Sequence, residues 1–368
     1  MDSITHLVLG AAVGELLLGR RLGNRALAWG ALLGTLPDLD VLFMPLLDTA
    51  GQLWWHRGPS HALVVLVAVS AVLARWLATR WRRDKISRWQ AGWFAGAILG
   101  SHVLIDCCTV YGTSVLWPFS ARRLACNHLF IIDPLVTLPL LIAVARVALL
   151  RTKQQLPQRR RINAWGLGLA ACYMLLSVGM KFVAAAGFTA DLTRRGVTYQ
   201  RRMESPTFCN ILLWRAVVDR GDELWVGYRT VFEFHTTPVR WTVYPRGRAA
   251  LAGLTDMREV TTLTWFTDGW WIARRHAQGV WVGDLRFDEV RSWGNKKTMV
   301  DSRLAFAWNI TPAVRGDRLQ ALHSARPQMG ATLSRMASRT IGNRSAWEAN
   351  PRLAGVTGSL PEFLAVRE

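Results

Sequence analysis

A chain whose first half is a series of apolar segments has few folds open to it. Between residue 1 and about residue 186 such segments run roughly over 4–19, 25–47, 61–79, 89–108, 129–150 and 163–186. Most approach the ~20 residues an α-helix needs to cross a bilayer, where no water is present to satisfy a backbone left outside a helix. Six membrane helices are therefore expected. The first segment is short, the second contains Pro37 and the fifth begins beside Asp133. A formal net charge of +20 and 19 tryptophans would suit a basic soluble protein equally well, so the distribution of charge decides.

The basic residues fall in alternate loops. Arg20, Arg21 and Arg25 follow the first segment, Arg82, Arg83, Lys85 and Arg88 the third, and Arg151, Lys153, Arg159, Arg160 and Arg161 the fifth. The positive-inside rule makes these three turns cytoplasmic and puts the N-terminus, the other turns and everything after residue 186 outside. An ordinary cleaved signal peptide is not expected, because "MDSITHLVLG" lacks a basic start.

Nine ionisable side chains then gather on the outer side: His6, Asp38, Asp40, His56, His61, His102, Asp106, His128 and Asp133. The orientation was fixed from lysine and arginine alone, so this gathering is independent of it. Ionisable groups in membrane segments are expensive and usually functional. Imidazoles mixed with carboxylates suit zinc, manganese or iron, and no paired-cysteine pattern points to a structural zinc site instead. His102 and Asp106 stand four residues apart, on one face of a helix. Asp38 and Asp40 would point apart on a regular helix, but Pro37 can unwind the backbone and let both reach one centre. His56 and His61 flank the turn "HRGPSH", which can fold them together. The candidate metal ligands are His6, Asp40, His56, His61, His102 and Asp106, with zinc the first choice and two ions or one ion with an outer network equally compatible with their number. His128 also reads as an interfacial polar residue, and Asp133 before Pro134 as a helix cap.

The order "SITH", "GTLPDLD", "HRGPSH", "GSHVLIDCCTVYGTSVLWPF" and "IIDPLVT" resembles the YdjM/YbcI family of inner-membrane proteins, described from their motifs as membrane-bound metal-dependent hydrolases. The resemblance covers residues 1 to about 140 strongly and continues loosely through "SPTFCNILLWRAVV" and "GVWVGDLRF". It implies a polytopic protein of the bacterial inner membrane and a metal site on His6, Asp38, Asp40, His56, His61, His102 and Asp106. It implies no substrate. Ser60 stands where the pattern usually has Thr, which keeps the hydroxyl, and Cys107 and Cys108 are additions to it.

The tail from 187 to 368 is different in kind. "ELWVGYRTVFEFH", "VRWTVYP", "LTWFTDGWWIARR" and "VWVGDLRFDEV" set β-branched and aromatic residues between Gly, Pro and Asp turns, so a mainly β domain outside the membrane is expected, less regular and partly helical after about 310. Its 26 Lys and Arg against 17 Asp and Glu could favour anionic headgroups, though arginine-rich soluble domains are common. Trp225, Trp241, Trp265, Trp270, Trp271 and Trp281 suit either a membrane interface or a packed β core. Cys107, Cys108 and Cys126 fall on the outer side, where a disulfide is chemically permitted.

The chemistry that fits is hydrolysis of a phosphoester or other ester of a lipid or envelope component. The first, third and fifth helices begin at the outer face, so their positive ends favour an anion near the metals. Asp38 is the preferred general base, with the roles of Asp38 and Asp40 exchangeable because "PDLD" does not say which carboxylate faces the ion, and Arg57 is the candidate for stabilising charge in the transition state. Membrane lipids are the expected partners and nucleic acid is not. A metal- or ligand-binding transport protein is the rival reading; against it, the polar groups are confined to one side, which leaves no path to the cytoplasm.

Overall fold

The computed structural model describes residues 1–277, 279–287, 304–311, 318–322, 329–344, 346 and 365–367. They form two compact units, one of residues 1–46 with 54–178 and the other of residues 47–53 with 179–368.

Every one of the six apolar segments is helical. In chain order these are α1 (Ser3–Leu22), α2 (Asn24–Thr35) running into a 3-10 segment over Pro37–Leu46, the short α3 (Thr49–Trp55), then α4 (Leu63–Arg80), α5 (Arg88–Cys107), α6 (Pro134–Leu149) and α7 (Leu156–Arg194). Among the described residues α1, α4 and the helix ending at Arg194 are long and apolar enough to cross a membrane, and α2 with its 3-10 extension makes a fourth, bent by 43°. α6 is apolar but shorter, and α5 carries Arg88, Gln90, His102 and Asp106 within its 20 residues. Fewer helices pass that test than the six segments because polar groups and Pro37 interrupt them.

Local chemistry sets the helix ends that matter here. Asp2 caps α1 by accepting from the Thr5 amide at 3.0 Å, which places His6 in the first turns. Ser87 and Gln90 form a capping box that starts α5. Asp133 caps α6, accepting from the Leu135 amide, and also takes the Tyr173 hydroxyl at 3.0 Å.

α1 and α2 lie against each other at backbone distance. A Cβ added to Gly10 would stand 2.3 Å from the Gly30 carbonyl, and one added to Gly34 would stand 2.5 Å from the His6 carbonyl. Glycine at 10, 14, 30 and 34 therefore allows an approach that any side chain would prevent. At the basic-loop end of the bundle, Leu18, Leu22, Leu77, Trp81, Phe94 and Ile98 form a closed apolar cluster.

The second unit is mainly β. β1 (Arg201–Pro206), β2 (Leu213–Asp219), β3 (Glu223–Thr230) and β4 (Trp241–Pro245) are consecutive antiparallel neighbours, with Val218 opposite Trp225 and Trp225 opposite Val243. After the helix α8 (Arg258–Phe266), strands β5 (Trp271–His276), β6 (Gly279–Asp284), β7 (Ala307–Ile310) and β8 (Leu319–Leu322) form a second antiparallel sheet, and after α9 (Met329–Thr340) strand β9 (Ala365–Arg367) closes the first sheet against β4. The end of α7 covers one face of the first sheet: Ala184, Phe188 and Leu192 pack on Trp214, Ala216, Val218 and Trp241. The alternation of 214, 216 and 218 is the period of two a strand imposes. Trp225, Trp241, Trp270, Trp271 and Trp281 are all buried, so they pack inside the unit, while Trp265 is half-buried. The five cysteines are all unbridged.

Candidate metal centre

Five side chains from four elements converge. His6 comes from α1, Asp38 from the 3-10 segment, His61 from the turn before α4, and His102 and Asp106 from the last turns of α5. His61 Nε2 lies 3.4 Å from Asp38 Oδ1 and 3.4 Å from Asp106 Oδ2, and His102 Nε2 lies 3.5 Å from each of the same oxygens. His6 Nε2 is 3.1 Å from Asp106 Oδ1, and its ring stacks on His102 with centroids 3.6 Å apart. The imidazoles and Asp106 are buried; the Asp38 side chain, 17 % exposed, is the one opening in the set.

The protons can be placed from the outer hydrogen bonds. The Gly34 carbonyl can only accept, so His102 Nδ1, 2.7 Å away, carries a hydrogen and donates it. The Ser60 hydroxyl donates to Asp40 Oδ2 at 3.1 Å, which leaves its lone pair to accept from His61 Nδ1 at 2.9 Å. In their neutral forms both imidazoles therefore turn a bare Nε2 lone pair inward, and these two atoms are 3.1 Å apart. They face Asp38 Oδ1 and Asp106 Oδ2, two buried oxygens without a hydrogen-bond partner. Four acceptors turned on one another are mutually repulsive until a proton or a metal ion lies among them. One donor atom from each of His6, Asp38, His102 and Asp106 lies within 4.8 Å of the others, close enough for a single ion. Histidines whose second nitrogen is held by a carbonyl or a hydroxyl are oriented as metal ligands are. The imidazole and carboxylate donors could hold a metal ion.

Asp40 and His56 stand outside this set. Three residues per turn in a 3-10 helix put positions 38 and 40 on different faces, so Pro37 loosens the helix without bringing both carboxylates to one point. Asp40 instead binds the "HRGPS" turn: Oδ1 meets His56 Nδ1 at 3.3 Å, and Oδ2 accepts from the Arg57 amide at 3.1 Å as well as from Ser60. Arg57 has φ +55°, a strained conformation for a residue with a side chain, and the Asp40 carboxylate helps hold it there. His56 packs edge-on to Tyr111 with centroids 5.3 Å apart. Of the two carboxylates, Asp38 stands in the converging group and Asp40 braces the turn.

Arg57 is buried and turned onto Asp106, with Nη2 3.1 Å from Oδ1 and donating also to the Met1 carbonyl at 3.2 Å. The Met1 amino group binds the same Asp106 oxygen. His128 does not join the centre; its Nδ1 meets Ser177 Oγ at 2.6 Å.

Sequence reasoning missed two partners. The Gly34 carbonyl is invisible as a ligand-orienting group because any residue supplies a carbonyl. The second is a buried ion pair away from the centre: Arg159 Nε and Nη2 meet the two Glu15 oxygens at 3.0 and 2.6 Å, and Nη1 donates to Asn24 Oδ1 at 2.8 Å and to the Val147 carbonyl at 3.0 Å. Glu15 is an acid amid an apolar helix, which was the available signal.

Residues 1–186 match the YdjM inner membrane protein family. The chain belongs to that family. Similar proteins include the inner membrane protein YbcI of Escherichia coli strain K12, 35% identical over 123 residues, which are 33% of this chain and 69% of that protein. The uncharacterized protein YfhP of Bacillus subtilis strain 168 is 29% identical over 153 residues, 39% of this chain and 46% of that protein. No solved structure matches. The matched region of this YdjM-family chain contains all five converging side chains, and its apolar helices agree with an inner-membrane location.

Proposed function

We propose that this YdjM-family protein is a membrane-bound metal-dependent hydrolase acting on a phosphoester or other ester of a lipid or envelope component. The observation that carries the reading is the acceptor-only cluster of His61, His102, Asp38 and Asp106, which calls for a resident cation. His6, Asp38, His61, His102 and Asp106 would hold the metal. A divalent ion bound there would supply Lewis acidity and a nucleophile at neutral pH. Arg57 steadies Asp106 and keeps its charge compensated, so it acts as a positioning residue. Asp40 holds the turn that presents His61. Asp38, on the open edge, is where an incoming ester meets the site, and the neighbouring 3-10 segment exposes Leu39, Leu42, Phe43 and Leu46, an apolar approach suited to an acyl chain.

Purified protein should contain zinc, manganese or iron near one equivalent, and His61→Ala should lose most of it. The metal-replete protein should also turn over at least one member of a panel of phospholipids, phosphodiesters and carboxylic esters. Full metal content with no turnover across the panel would favour the binding or transport reading instead.

We propose further that the chain crosses the inner membrane six times, with the metal centre and the β domain at the outer face. Reporter fusions at residues 85, 156 and 250 should read cytoplasm, cytoplasm and exterior. An exterior signal at 156 would reverse the placement of the centre.

A further inference from the structure

The second unit exposes two phenylalanines on one short loop. The connection between β3 and β4, residues 231–240, carries Phe232 at 63 % and Phe234 at 82 % exposure, while Val231 and Val239 at its base pack into the core of the first sheet. Two large aromatics held out from an otherwise well-buried sheet mark a contact surface. The chain itself supplies the means to say what they contact.

α7 is one unbroken helix from Leu156 to Arg194. About 20 residues cross the hydrocarbon core, so a span counted from Asn163 ends near Phe182. Gly187 lies about one turn beyond, at headgroup depth. The loop is fastened at that level. The Arg229 side chain lies across Gly187, where an added Cβ would meet its Nε at 2.1 Å. From there Arg229 Nη2 donates to the carbonyls of Glu233 at 2.7 Å and Phe234 at 2.6 Å. Arg194 Nη1, two turns further along α7, donates to the Thr236 carbonyl at 2.7 Å. The loop backbone is thus one guanidinium away from the part of α7 that leaves the membrane. Phe182 and Val183, just before that point, face outward themselves. Arg240 adds positive charge at the end of the loop, complementary to anionic headgroups, while Arg194 and Arg202 are paired with Asp191 and Glu204.

We propose that the β3–β4 loop is a membrane anchor, with Phe232 and Phe234 seated among the headgroups and first methylenes of the bilayer that α7 spans. Aromatic rings belong at that depth, and Arg240 places a positive charge beside the phosphates there. The proposal does not rest on hydrolase activity or on which face of the membrane the unit occupies.

An environment-sensitive fluorescent amino acid placed at position 234, and in a second protein at 232, would test it in full-length protein reconstituted into phosphatidylcholine–phosphatidylglycerol vesicles. Asp222, 93 % exposed at its side chain in the turn between β2 and β3, lies at the far end of the β3 strand and serves as the aqueous reference. Probes at 232 and 234 should be quenched by lipids bearing a shallow nitroxide. They should be quenched by aqueous iodide at least about threefold less than a probe at 222, the contrast between interfacial and aqueous positions. If both positions show iodide quenching equal to that at 222 and no response to nitroxide lipid, in protein with the wild-type melting temperature, the loop faces water and the proposal is overturned. Nitroxide quenching that persists in pure phosphatidylcholine but halves relative to the mixed vesicles would support the anchor and assign Arg240 a share of it.

Discussion

Asp38→Ala should empty the metal centre, whereas Asp40→Ala should weaken it by about 10–100-fold and leave it fillable at raised metal concentration. The two carboxylates are separated by one residue, yet their surroundings differ completely. Asp38 Oδ1 faces the Nε2 atoms of His61 and His102, and no hydrogen bond engages it. Asp40 is occupied by His56, the Arg57 amide and Ser60. Removing Asp38 deletes a donor atom; removing Asp40 frees a strained turn and the hydroxyl that orients His61. Metal titration of both variants by mass spectrometry or a competing chelator separates the two. Should Asp40→Ala prove the emptier protein, the proposed ligand set is wrong. The hydrolytic assay adds a second comparison: saturating metal should restore turnover in Asp40→Ala and fail to do so in Asp38→Ala.

The second large effect lies in the backbone. Gly34→Val should lower the melting temperature and abolish metal retention together, although residue 34 contributes no side chain. Its Cβ would press on the His6 carbonyl and on the Cα of Gly10, forcing α1 away from α2 and carrying His6 out of the centre. Overpacking of this kind costs about 1–3 kcal/mol, more where backbone meets backbone. Gly168→Val on α7 is the control, since an added Cβ there meets nothing within 4 Å, and it should keep both stability and metal. Intact metal content in Gly34→Val would mean that the centre tolerates separation of the two helices.

Much of this was legible in the sequence, for reasons that can be stated. The six apolar segments all became helical, and three of those helices, or four with the bent pair, are long and apolar enough to cross a membrane. His102 and Asp106 share a face because four residues is close to one helical turn. Alternating aromatic and β-branched residues after 187 became two antiparallel sheets. The division between Asp38 and Asp40 was not legible, because residue types do not say how far Pro37 unwinds the backbone; the segment stays helical as a 3-10 turn and keeps the two carboxylates on different faces. The exclusion of His56 depends likewise on the left-handed Arg57, a conformation that residue types alone do not announce. That the Arg57 guanidinium lies against Asp106 was likewise not legible, since a sequence does not reveal where a long side chain turns.

The pair between Glu15 and Arg159 ties the start of α7 to the helices before it. Arg159 was counted among the cations that hold a loop at the cytoplasmic surface, yet it lies buried against Glu15, Asn24 and the carbonyl of Val147. All of these partners precede it in the chain, so the seat of Arg159 is complete only where α1, α2 and the end of α6 lie together.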